Sequence, residues 1–204
     1  MLTKPLTQIK ITKPDDWHLH LRQGEAMSSV VGMTARQMGR AIVMPNLSPP
    51  VKTVKQALDY RRDIVSALPK SSGFNPLMTL YLTDNTSKQD IINVSNEKHV
   101  YAVNLYPAGA TTNSESGVTN LSNVYPALEQ MQKEGIPLLV HGEVTHDDID
   151  IFDRERVFIE TILEPLAAMF PGLKIILEHI TTKDSVDFVT GSRSTIAATI
   201  TAHH

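Results

Sequence analysis

Asp16-Trp17-His18-Leu19-His20-Leu21-Arg22 is the stretch on which both fold and chemistry turn. A β-strand alternates its side chains between two faces, so His18 and His20 project to the same side. Two imidazoles a few ångströms apart suit a divalent cation such as zinc. Taken alone, the pair is better explained by two histidines on a solvated edge strand. The turn that follows, Arg22-Gln23-Gly24-Glu25, has no Gly-x-Gly-x-x-Gly to bring backbone amides to a pyrophosphate, which argues against a dinucleotide-binding sheet.

Outward from this strand, short β-rich apolar runs alternate with longer amphipathic stretches, the pattern of βα units around a parallel sheet. Strands are expected near residues 16–21, 41–44, 77–82, 101–105, 137–141, 174–179 and 196–201. Helical periodicity is clearest over 53–68, with Val54, Ala57, Leu58, Ile64, Val65 and Ala67 mainly on one face and Lys55, Asp59, Arg62 and Asp63 toward solvent. It recurs over 153–170, ended by Pro171-Gly172. Polar residues gather at the C-terminal ends of the strands, where a closed barrel builds its site. The expected fold is therefore α/β: a (β/α)8 TIM barrel in one domain over residues 1–204, incomplete at its C-terminus because about seven strands are found where eight are needed.

Composition narrows the function. With 41% hydrophobic and 20% charged residues the chain is neither disordered nor low-complexity. A net charge of -3 with scattered basic residues gives no field for nucleic acid. The absence of cysteine means that no disulfide is needed. Residues 1–14 lack the apolar core of a signal peptide, and no apolar run approaches membrane-spanning length, so a cytoplasmic protein is expected.

Two later strands end as the first does, Leu138-Leu139-Val140-His141-Gly142 and Ile175-Ile176-Leu177-Glu178-His179. Four histidines at strand ends of one parallel sheet converge on one mouth, which makes His18, His20, His141 and His179 a candidate metal site. Such a site activates water near neutral pH and polarises a carbonyl, so metal-assisted hydrolysis follows. Arg22, two residues beyond His20, is placed by the same alternation on the lumenal side, where a guanidinium can grip a carboxylate. Asn46, after Val43-Met44-Pro45, offers either a second anchor or a loop cap. The small-residue run 107–117, bounded by Gly109 and Gly117, is either a surface connection or a loop that closes over the site with Thr111 and Thr112 as donors.

These motifs, with Asp15-Asp16-Trp17-His18-Leu19-His20-Leu21-Arg22, Met44-Pro45-Asn46-Leu47-Ser48-Pro49-Pro50, Leu105-Tyr106-Pro107-Ala108-Gly109-Ala110-Thr111-Thr112-Asn113-Ser114 and His141-Gly142-Glu143, resemble the single-function bacterial and fungal-type dihydroorotases of the amidohydrolase superfamily. The resemblance runs essentially the length of the chain and implies two zinc ions, one on His18 and His20, the other on His141 and His179. It implies that Arg22 and Asn46 bind the substrate carboxylate and that Thr111 and Thr112 belong to a mobile loop. The implied reaction is the reversible interconversion of N-carbamoyl-L-aspartate and dihydroorotate in pyrimidine biosynthesis, and a homodimer is expected. Two departures stand out. Asn104 occupies the position of a carboxylated lysine that bridges both metals in the family, and a neutral amide cannot form that carbamate. The family's proton-shuttling aspartate is expected beyond His204, so no catalytic base is assigned within the chain. The rival reading from another class is an inactive, metal-poor interaction protein or fragment; another cyclic amidase is disfavoured because Arg22 and Asn46 suit an acidic substrate.

Overall fold

The computed structural model describes residues 8–202. The expectations for residues 1–7 and for His203-His204 lie outside the described residues. Seven strands, β1 (Asp15–Leu19), β2 (Arg40–Val43), β3 (Asn75–Tyr81), β4 (Val100–Leu105), β5 (Leu138–His141), β6 (Ile175–Glu178) and β7 (Ile196–Ala198), form one sheet in chain order. Every pairing is parallel. The crossovers carry helices α1 (Gly24–Gln37), α2 (Val54–Ala67), α3 (Lys88–Ser95), α4 (Tyr125–Glu134), α5 (Arg154–Phe158), α6 (Glu164–Met169) and α7 (Lys183–Gly191).

The sheet curls. A side chain of β1, His18, lies 2.9 Å from Glu178 at the end of β6, whereas five strand spacings in a flat sheet would hold them roughly 24 Å apart. This is an incomplete (β/α)8 barrel with seven of its strands. Curling sorts the apolar residues into two layers. Ile42, Met44, Leu77, Ala102 and Leu139 form a small lumenal cluster with Ile176 against it. Alternate residues such as Val43, Met78, Leu80, Val103, Val140 and Leu177 join the larger core beneath the helices. Burial on both faces is why these strands read as continuous apolar runs.

The helices follow their local chemistry. Thr53 caps α2 through a capping box with Gln56. Its buried stripe is Ala57, Tyr60 and Ile64, and Val65, expected on that face, is exposed at 42% because it lies about a quarter-turn from Ile64. Residues 153–170 are not one helix: a π-helical turn, Ile159–Leu163, joins α5 to α6. Pro165 at the start of α6 has no N–H for an i→i−4 bond, and the widened turn accommodates it. Strand β1 ends at Leu19 rather than Leu21, with a register irregularity between Asp16 and Leu19. Strand β7 ends at Ala198 rather than Thr201. Among the described residues, β1 and β7 each pair on one side only, and no helix is long and apolar enough to cross a membrane.

Candidate metal centre

The ends of β1, β5 and β6 bring all four histidines to one cavity of about 220 Å³, lined also by Asn46, Tyr106, Thr111 and Thr201. His18 Nε2 lies 3.1 Å from His20 Nε2, and His141 Nδ1 lies 3.1 Å from His179 Nε2. The two pairs adjoin, with His18 and His179 ring centroids 5.0 Å apart. Two nitrogens held at about 2.0–2.1 Å on a tetrahedral zinc would be roughly 3.3 Å apart, so each pair has the spacing of two ligands to one ion. Among the described residues no three His, Asp or Glu side chains already close around one point; the imidazoles meet two by two.

Two of the imidazoles are held from behind by carboxylates. His18 Nδ1 contacts Glu178 Oε1 at 2.9 Å, and Asn104 Nδ2 donates to Glu178 Oε2 at 3.1 Å. His141 Nε2 contacts Glu143 Oε2 at 3.1 Å, and Arg154 donates to Glu143 Oε1 at 3.1 Å. The Asn46 side chain adjoins His20 in the cavity lining. The His179 backbone N–H donates to Thr199 Oγ1 at 2.8 Å. Glu178, Glu143 and Tyr106 were not assigned roles from sequence. A glutamate closing an apolar strand was the available signal for Glu178, since a carboxylate there must find partners. Asn104 is fully buried and its Oδ1 has no hydrogen-bond partner; the amide points its NH2 at the Glu178 charge.

Burial, reinforced by the charges of His18 and Arg22, pushes the His20 imidazole down to about 4. That favours the neutral form, the form that binds metal. The consequence for stability has a definite sign. Between pH 6.5 and 4 the unfolded chain takes up a proton at His20 that the folded chain refuses, so metal-free protein loses stability as the pH falls through that window. The loss reaches about 3 kcal/mol at the acid end. Denaturant melts of chelator-treated protein should show it, and His20→Asn should flatten the slope. An unchanged slope would contradict the burial argument.

Arg22 does not follow the strand alternation used to place it. It sits past the end of β1 with φ 61°, exposed, and the Tyr60 hydroxyl donates to its carbonyl at 2.5 Å. Its charge is nevertheless felt at His20, Tyr60 and Tyr106. Arg22, Asn113 and His179 all have positive φ. Such strain costs on the order of 1–3 kcal/mol per non-glycine residue and clusters at sites.

The loop after β4 is packed onto Asn46. Asn46 Nδ2 donates to the Thr112 carbonyl at 3.1 Å, and Asn113 Nδ2 donates to the Asn46 carbonyl at 3.0 Å. The Asn46 amide nitrogen is therefore engaged by the protein, Thr111 lines the cavity, and the Thr112 side chain is exposed away from its lining. Gly117 permits the loop's closure: a Cβ there would meet the Tyr106 carbonyl oxygen and lie 2.9 Å from the Ser114 oxygen. Both are backbone atoms, so neither yields cheaply. Gly117→Ala is expected to destabilise by about 1–3 kcal/mol and to expose the loop to limited proteolysis; wild-type stability and cleavage would refute that.

The sequence profile of the Amidohydrolase family matches residues 13–204. A dihydroorotase of Methylobacillus flagellatus is 61% identical over 198 residues, 97% of this chain and 57% of that protein. A crystal structure of dihydroorotase from Campylobacter jejuni superposes with a TM-score of 0.85 at 39% identity, covering 94% of this chain and 55% of that one. Dihydroorotase from Saccharomyces cerevisiae in complex with 5-fluoroorotic acid gives 0.84 at 32%, covering 94% and 56%. The chain thus spans little more than half the length of the proteins it matches.

Proposed function

The chain belongs to the amidohydrolase family, and on that premise we propose that it forms the metal-binding part of a dihydroorotase, interconverting N-carbamoyl-L-aspartate and dihydroorotate. The observation that carries the proposal is the convergence of His18, His20, His141 and His179 on one cavity beside the Arg22 charge. The residues present fit a divalent cation, because both imidazole pairs have ligand-like spacing and outer partners that steady them. The metal proposed is zinc, with His18 and His20 holding one ion and His141 and His179 the other. Asn104 brings no charge to the place where the resemblance implies a bridging anion. When bound, the metal would polarise the amide carbonyl and activate water.

The chain's own residues supply binding and orientation. Arg22 holds the substrate carboxylate, the proposed partner for an anionic ring such as the 5-fluoroorotic acid bound by the yeast neighbour. Asn46 adds a second contact once released from Thr112, and Thr111 and Thr112 close the loop and exclude water. A cytoplasmic homodimer acting in pyrimidine biosynthesis completes the reading. That the relatives carry the enzyme's name favours it over the interaction-protein rival. The test is calorimetric titration of zinc-loaded protein with dihydroorotate and with uncharged hydantoin. Saturable binding of the acid alone supports the proposal; equal affinity for both, or for neither, contradicts it.

A further inference from the structure

We infer that Glu178 and Glu143 are positioning residues that dictate which nitrogen of His18 and His141 faces the cavity, an inference that rests on the metal reading above. An imidazole offers a lone pair from one nitrogen only when its proton sits on the other. An ionised carboxylate only accepts, so the His18 proton lies on Nδ1, toward Glu178 Oε1 at 2.9 Å, and Nε2 is left for the cavity. His141 is reversed: its Nε2 meets Glu143 Oε2 at 3.1 Å, which leaves Nδ1 facing the other imidazoles. The opposite choices follow from where the carboxylates stand. Glu178 comes from β6, across the curled sheet, whereas Glu143 lies two residues beyond His141 on its own chain segment.

Each carboxylate is itself anchored, Glu178 by Asn104 and Glu143 by Arg154. The Glu178 side chain is 1% exposed, and its hydrogen-bond partners are an imidazole and an amide, neither a fixed cation. Burying a carboxylate without a compensating charge is unfavourable. A cation held by His18 would supply that compensation through the ring. A glutamate kept for packing alone would need no such arrangement.

The experiment compares wild type with Glu178→Ala, Glu178→Gln, Glu143→Ala and Glu143→Gln by zinc competition against a chromophoric chelator and by the visible spectrum of the cobalt(II) forms. Alanine at either position is expected to weaken zinc binding about 10- to 100-fold and to alter the cobalt bands. Glutamine keeps an acceptor oxygen and should restore most of the affinity. At position 178 the rescue is sterically provided for, since Asn104 can turn its amide and present the oxygen that now has no partner. Glu143, with 28% of its side chain exposed, keeps the test readable if Glu178→Ala does not fold. Folded alanine variants with wild-type affinity and spectra, whether or not their melting temperature falls, would overturn the inference and leave the metal reading standing. Wild-type protein that takes up neither zinc nor cobalt would overturn the metal reading, and this inference with it.

Discussion

Replacing His18 and His20 together by alanine is expected to remove at least one of the two zinc ions proposed above and to weaken zinc binding by several orders of magnitude at the affected site. The two imidazoles provide the whole of one ligand pair, 3.1 Å apart, and Glu178 meets His18 at Nδ1, away from that pair. Elemental analysis after equilibrium dialysis reads the stoichiometry directly. The loss should also lessen the thermal stabilisation expected from added zinc, because a ligand that binds only the folded state stabilises by mass action. Equal metal content in wild type and variant would sink the assignment of these residues.

Arg22→Met should abolish measurable binding of dihydroorotate or orotate while leaving the fold intact. Arg22 is exposed, and among the described residues no carboxylate pairs with its guanidinium. Its backbone is fixed independently of the side chain, through the Tyr60 hydroxyl at 2.5 Å. Truncating one partner of a charge-assisted contact typically costs about 2–5 kcal/mol, or roughly 30- to 5,000-fold in affinity. Unchanged affinity by calorimetry would remove Arg22 from the site.

Much of this was legible in the sequence because parallel strands buried on both faces must be written as apolar runs. All seven strands and the span of α2 were recoverable within a few residues. What escaped depended on geometry that periodicity does not encode. Arg22 was placed by strand alternation, yet β1 ends three residues earlier and the chain turns left-handed there. The break in the 153–170 helix had a visible cause in Pro165, which the apolar period masked. Val65 shows the other limit, since a neighbour in sequence need not share a face when Tyr60 fills the stripe. The four histidines stand out because they lie at or beside strand ends, whereas Glu178 reaches His18 across the curled sheet, 160 residues away in the chain. Glu143 stands two residues from His141, and the fold adds Arg154 as its second partner.

The most direct test of the histidine-centred metal site is X-ray absorption at the zinc edge of the zinc-loaded chain. The expected spectrum has nitrogen and oxygen neighbours near 2.0–2.1 Å, with outer-shell scattering from about two imidazoles per zinc, and the His18→Ala, His20→Ala variant should load no more than half the zinc, any that remains keeping the two imidazoles of His141 and His179. A zinc shell of oxygen ligands without imidazole scattering, or a variant that loads as much zinc as wild type, would contradict the histidine-centred site.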